Sequence, residues 1–184
     1  MKIAITGGIG SGKSYVCRLL EQRGISIYDC DSAAKRLMRT SNTLRRQLTN
    51  LIGPLTYDDE GRLNKAVVAQ FLLQSEDNAH AIDAIVHPAV ANDFEQSGYQ
   101  WMECAILYES GFQRLVDRVI VVTAPEETRI NRIVQRDNIS CEKALEWIHR
   151  QWPQEKVRQR AHFEIINDGQ TDLERQIDEI IKAL

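Results

Sequence analysis

The residues best suited to chemistry lie near the amino terminus, where Gly7-Gly-Ile-Gly-Ser-Gly-Lys-Ser14 fits the pattern Gly-x-x-x-x-Gly-Lys-Ser. Gly7, Gly8, Gly10 and Gly12 let the backbone take conformations closed to other residues. Its N–H groups, with that of Ser11 among them, can then turn inward around an anion. Lys13 can reach the outer phosphates of a nucleotide, and the Ser14 hydroxyl is placed to ligate Mg²⁺. The run at 2–6 is apolar and strand-like, and Tyr15-Val-Cys-Arg-Leu-Leu reads as the opening of a helix. A helix start adds the positive end of its dipole to the cradle. Strand, glycine loop and helix in this order are the context that a phosphate-binding loop requires.

Two further groups of residues carry charge that such a loop can use. Asp29-Cys30-Asp31 follows a second strand-like run at 25–29. In a parallel sheet, strand ends of this kind line the edge where ligands bind. Spacing supports two tasks for Asp31, capping the helix that begins at Ser32 or acting as a carboxylate base, and one side chain can do both. Arg129, Arg132 and Arg136 recur at helical spacing and share one face, with Lys156, Arg158 and Arg160 further on. On charge alone, such a run also fits a solvated helix face.

The elements that must position these residues alternate. Strand-like segments fall at 2–6, 25–29, 101–109, 116–123 and 163–167, with helical periods between them and an amphipathic helix at 171–184. This pattern predicts an α/β fold in three layers, α/β/α, with a five-stranded parallel sheet. Residues 41–98 hold no convincing strand. Helical stretches there run to Gly53-Pro54, from Ala66, and up to and beyond His87-Pro88. Too long for a simple crossover, the segment reads either as an insertion holding a second substrate or as a helical pad over the sheet. Residues 1–184 form one domain on this reading, with 137–161 as a helical lid.

Composition narrows the setting. The net charge of −3 and the absence of a Lys/Arg block give no sign of a nucleic-acid surface. No apolar run is long enough to cross a membrane. The first strand begins at once, so no signal peptide is expected. Cys17, Cys30, Cys104 and Cys141 are isolated, as thiols are in a reducing compartment, and a cytoplasmic protein is expected.

A phosphate loop by itself permits a kinase, a hydrolase or a nucleotide-operated switch. The chain lacks the Asn-Lys-x-Asp of base-reading GTPases. A helical insertion and an arginine-rich stretch before the last strand are parts that phosphoryl transfer needs, to hold an acceptor, cover the phosphates and neutralise charge. The later motifs sharpen this. Tyr28-Asp-Cys-Asp31, Gly61-Arg-Leu-Asn-Lys65, Ile85-Val-His-Pro88, Ala105-Ile-Leu-Tyr-Glu109, Arg132-Ile-Val-Gln-Arg-Asp137, Gln151, Lys156 and Asn167-Asp-Gly169 follow the loop in order. From end to end, the chain resembles the dephospho-coenzyme A kinase family.

That resemblance implies transfer of the γ-phosphoryl group of ATP, with Mg²⁺, to the ribose 3′-hydroxyl of dephospho-coenzyme A, the last step of coenzyme A synthesis. It implies that Asp31 accepts the hydroxyl proton, that Asp29 assists it or the metal, and that Lys13 and Arg136, supported by Arg132, stabilise the moving group. Asn64, Lys65, His87 and Pro88 would line the coenzyme A side, and Asn167 to Gly169 would sit beside the adenine of ATP. A monomer or weak homo-oligomer is expected. Rival readings are a kinase of another small molecule, such as a nucleoside or nucleotide, and a non-catalytic nucleotide-binding regulator. The chain departs from the family pattern at Tyr15, Ala105, Asn64-Lys65, Trp147 and His162. Arg150 is the candidate substitute for the lid arginine that Trp147 replaces.

Overall fold

A computed structural model describes every residue from Met1 to Leu184. Strands β1 (Ile3–Thr6), β2 (Ile27–Asp29), β3 (Trp101–Glu103), β4 (Arg118–Thr123) and β5 (Phe163–Ile166) form one parallel sheet in the order β2-β3-β1-β4-β5. Ile3 to Ile5 of β1 lie opposite Trp101 to Glu103, and Ile3 to Thr6 lie opposite Arg118 to Val121. A central strand is covered on both faces, so β1 and β4 carry nearly unbroken apolar runs. Ile3, Ile5, Ile120, Val122 and Ile165 pack into a core with Val16, Leu20, Ile177 and Ile180. Those last four belong to α1 (Lys13–Glu21) and α9 (Leu173–Ala183). Ala4, Met102, Val119 and Val121, which alternate with that set, are buried as well.

Three further helices lie between β4 and β5: α6 (Glu126–Asp137), α7 (Cys141–His149) and α8 (Gln154–Arg158). Ile133, Ala144 and Ile148 form a second small core there, with Ile9, Ile130, Val134, Ile139 and Trp147 against it. Together with the sheet, α1 and α9, these helices make one compact unit, Met1–Tyr28 with Tyr99–Leu184.

The other compact unit is Asp29–Gly98. It contains α2 (Cys30–Thr40), α3 (Asn42–Ile52), α4 (Lys65–Gln74) and α5 (Glu76–Gln96), and α5 packs against the other three. Each helix has a side-chain N-cap: Asp29, Ser41, Asn64 and Ser75 accept the amides of Ser32, Leu44, Val67 and Asn78. Such caps satisfy amides that a helix start leaves open.

Three local expectations change. The third strand ends at Glu103, and residues 105–111 form hydrogen-bonded turns, with Ser110 N–H on Ile106 O and Phe112 N–H on Leu107 O. A short apolar run is buried in either geometry, so periodicity does not separate them. The helix after β2 starts at Cys30, and its cap is Asp29 rather than Asp31. Pro88 lies inside α5 and does not divide it; the missing N–H leaves one carbonyl of the preceding turn without its helical donor. No helix is long and apolar enough to cross a membrane. All four cysteines are free thiols.

Candidate active site

The turn from β1 into α1 is shaped by close approaches that only glycine allows. Gly7 has φ 145°, and a Cβ there would lie 2.3 Å from the Val122 carbonyl oxygen. Gly12, in the left-handed region at φ 91°, is the N-cap of α1, and a Cβ on it would lie 2.0 Å from Asn167 Nδ2. No side chain caps α1 and no acid stands in its first turn, so the positive helix end is left for a ligand. Ser11 is fully buried, and its Oγ has no protein partner. A buried hydroxyl of this kind marks a place where a ligand or water completes the bonding. The loop therefore fits an anion such as a nucleotide phosphate.

Side chains from the opposite end of the sequence hold the loop. Arg132 donates through Nη1 to the carbonyls of Gly10 (3.3 Å) and Ser11 (3.2 Å). Its Nη2 reaches Asn167 O (3.1 Å) and Oδ1 (3.3 Å). Asn167, buried, returns a bond from Nδ2 to Ser11 O at 2.9 Å. When the N–H groups of such a loop face an anion, its carbonyls point outward, and these side chains meet the carbonyls. Arg132, expected to support charge on the transferred group, and Asn167, expected beside adenine, are thus engaged in holding the loop. Gly169 follows as an exposed turn residue at φ 86°.

Lys13, nearly buried, has its Nζ 3.9 Å from Glu103 Oε1 at the end of β3. Glu103 is a partner that sequence reasoning passed over, because an acid at the end of a strand carries no spacing signal. Ser14 and Tyr15 are exposed on the first turn of α1, and Arg18 lies over the Tyr15 ring at 5.6 Å. No group of three Asp, Glu, His or Cys side chains is arranged to hold a metal. The protein donor on offer is the Ser14 hydroxyl. That suits an ion such as Mg²⁺, which takes one or two protein ligands and completes its shell with phosphate and water.

Arg136 bonds Asp137 through Nε (3.1 Å) and Nη2 (2.6 Å) at the exposed end of α6. That bond raises the arginine's pKa and lowers the aspartate's. A surface pair is worth little and is exchanged readily for a doubly charged phosphate. Trp147 packs into the α6–α7 core, and Arg150 is paired with Glu146. Tyr108 stacks on Trp152 with centroids 5.9 Å apart, and Lys156 Nζ stands 3.4 Å above the Trp152 ring. Ala105 belongs to the turn after β3, and His162 accepts the Val119 amide on Nδ1 at 3.1 Å.

In the helical unit, both carboxylate oxygens of Asp29 are occupied by Ser32, one by its amide (3.0 Å) and one by its hydroxyl (2.8 Å). Asp31, two residues on, is exposed in the first turn of α2. Asn64 caps α4, with Lys65 exposed behind it. His87 Nε2 lies 3.5 Å from Asp83 Oδ1, and Pro88 is exposed beside it on α5.

A phosphate loop between a central strand and a helix, a nearly buried lysine within it and an arginine-bearing helix behind it define a kinase of the phosphate-loop class. The family model described as dephospho-CoA kinase matches residues 1–172. A dephospho-CoA kinase of Bacteroides fragilis is 42% identical over 191 residues, covering 100% of this chain and 93% of the relative. The chain belongs to the dephospho-CoA kinase family. A solved structure from Thermus thermophilus superposes with a TM-score of 0.86 at 28% identity, covering 100% of this chain and 96% of that one. Dephospho-CoA kinase from Campylobacter jejuni shares the fold, with a TM-score of 0.70 at 20% identity over 99% and 96% of the two chains.

Proposed function

We propose that this kinase transfers the γ-phosphoryl group of ATP to the ribose 3′-hydroxyl of dephospho-coenzyme A, giving coenzyme A and ADP. In the reaction, the bond from the 3′-oxygen to phosphorus forms, the bond to the ADP oxygen breaks, and the hydroxyl proton leaves to a carboxylate. Family membership carries the acceptor assignment. The glycine loop, with the orphaned Ser11 hydroxyl and the uncapped start of α1, supports the donor assignment.

Within that reaction, the loop amides and Lys13 bind the donor phosphates, and Lys13 exchanges Glu103 for them as charge develops. Ser14 would offer its hydroxyl to Mg²⁺, which when bound would neutralise charge on the nucleotide. Arg136 leaves Asp137 to meet the transferred group. Arg132 and Asn167 keep the loop in shape and act through it. Asp31 orients the 3′-hydroxyl and takes its proton. Support for choosing Asp31 over Asp29 is local, since the Asp29 oxygens already accept two bonds from Ser32 while the Asp31 carboxylate is exposed in the first turn of α2. A loose transition state asks little of a base, so an ordinary carboxylate suffices. Asn64, Lys65, His87 and Pro88 are assigned to the acceptor side on the family motifs.

The test is coupled formation of coenzyme A and ADP from ATP and dephospho-coenzyme A by wild-type protein and Asp31→Asn. The substitution should lower kcat by about 10²-fold or more while leaving nucleotide affinity unchanged. Wild-type protein that binds ATP but forms no coenzyme A would defeat the acceptor assignment. A fully active Asp31→Asn protein would leave Asp31 without a role in proton transfer.

A further inference from the structure

The apex of the phosphate loop, Gly8-Ile9-Gly10, has little of its own to hold it in place. The glycines on both sides of Ile9 give the backbone there wide conformational freedom. Yet each part of Ile9 is gripped by the helices that follow β4. Its N–H donates to Gln151 Oε1 at 2.7 Å, a side chain 142 positions away in sequence. Its carbonyl accepts Arg129 Nε at 2.9 Å. Its side chain packs against Ile133, Ala144 and Ile148 of α6 and α7.

The gripping groups are themselves fixed. Arg129 is 4% exposed, and burial lowers its pKa. A Cβ at Gly8 would lie 2.4 Å from Arg129 Nη2, and one at Gly10 would lie 2.7 Å from the Arg129 carbonyl oxygen. The glycines on either side of Ile9 therefore also make room for α6. Gln151 begins a short segment that is tied down twice more. The Trp152 amide donates to Glu109 Oε1 at 3.0 Å, and Gln154 Oε1 accepts the Ala124 amide at 3.1 Å. The Ala124 bond fastens the segment just beyond β4, and the Ile9 bond fastens it just beyond β1.

We propose that Gln151 is a positioning residue for phosphoryl transfer: its side-chain carbonyl, with Arg129 and the α6–α7 core, sets the apex of the phosphate loop so that the loop amides are preorganised for the donor phosphates. The helices after β4 and the loop then move as one body through Ile9. The proposal rests on the nucleotide reading of the loop. It differs from a direct role because Gln151 bonds the loop at the Ile9 amide, and Lys13 and Ser14 lie on the following helix.

The pair of variants that isolates the bond is Gln151→Met, which keeps the length but removes the acceptor, and Gln151→Glu, which keeps an acceptor oxygen. In ¹⁵N-labelled protein, amide exchange at Ile9 should accelerate about three- to tenfold in Gln151→Met and return toward wild type in Gln151→Glu. The dissociation constant for ADP and the KM for ATP should rise by a similar factor in Gln151→Met, with the KM for the acceptor unchanged. An Ile9 amide that exchanges alike in all three proteins overturns the proposal. So does a Gln151→Glu protein as impaired as Gln151→Met, or a Gln151→Met protein that binds ADP as wild type does. Amide exchange is read without nucleotide, so a wild-type protein that binds no ADP would sink the donor assignment while the grip on Ile9 was still decided.

Discussion

Two arginines one helical turn apart illustrate how little a residue's type says about its task. Arg132 and Arg136 share a face of α6, but Arg132 has four acceptors on the loop and Asn167, whereas the exposed Arg136 has only the half-buried Asp137. On the proposed mechanism, an arginine committed to backbone carbonyls acts on the reaction through geometry, and one held by a surface pair is available to a phosphate. Arg136→Ala should therefore lower kcat by about 10²-fold with little change in stability, as loss of a donor to transition-state charge does. Arg132→Ala should lower ADP affinity and thermal stability together, because it takes the donor from Asn167 and the Gly10 carbonyl and leaves the Ser11 carbonyl only its bond from Asn167. Steady-state kinetics and thermal melts on both variants separate the two roles. Equal effects on stability would merge them.

At the scale of elements, the helix starts and tight turns take most of the load. The Asp29 cap is where α2 leaves the sheet, and asparagine caps as well as aspartate does. Asp29→Ala should cost about 1 kcal/mol in urea unfolding, and Asp29→Asn only a few tenths. If Asp29→Asn is stable but inactive, the charge has a task that the cap does not explain. The turn before α9 makes a pH prediction. Asp168 accepts the amides of Thr171 and Gln170 and the Thr171 hydroxyl, which holds its carboxyl below the ordinary aspartate value. A group depressed in the folded state adds stability above the unfolded value and loses it as pH falls through the folded one. Acid unfolding should therefore steepen below about pH 4, and Asp168→Asn, which keeps the turn but does not titrate, should flatten that limb. A parallel acid limb in the variant would show that Asp168 contributes nothing to it.

At the scale of the molecule, two compact units are made from one chain: Asp29–Gly98, and Met1–Tyr28 with Tyr99–Leu184. The phosphate loop, Lys13, Arg132, Arg136 and Asn167 all belong to the discontinuous unit, and Asp31, Asn64, Lys65 and His87 belong to the continuous one. A ligand that binds only the folded loop stabilises the folded state by mass action, about 2.7 kcal/mol at a hundredfold excess over its dissociation constant. ADP with Mg²⁺ at that excess should raise Tm by about 5 to 10 °C for a chain of this size. A scanning melt with and without the nucleotide decides it, and an unchanged Tm would remove the donor assignment.

Much of this was open to reading before any coordinate. Gly7 to Ser14, the run at 116–123 and the amphipathic final helix are short-range patterns, because the backbone freedom of glycine and the periods of strand and helix act between near neighbours. The family motifs added the aspartate pair and the segment 137–161, expected as a lid. Their order along the chain is a linear property. Short-range rules failed where two local structures bury the same surface, at 105–111, an apolar run that turns, and at Asp29, which caps α2 where Asp31 was expected to. Tertiary structure alone decided the rest. It set Asn167 against Ser11, 156 positions away, put Lys13 beside Glu103 and fastened Ile9 between Gln151 and Arg129. Such contacts depend on which strand ends the sheet order makes neighbours. That order follows from burying the whole core at once, which no window of the sequence contains.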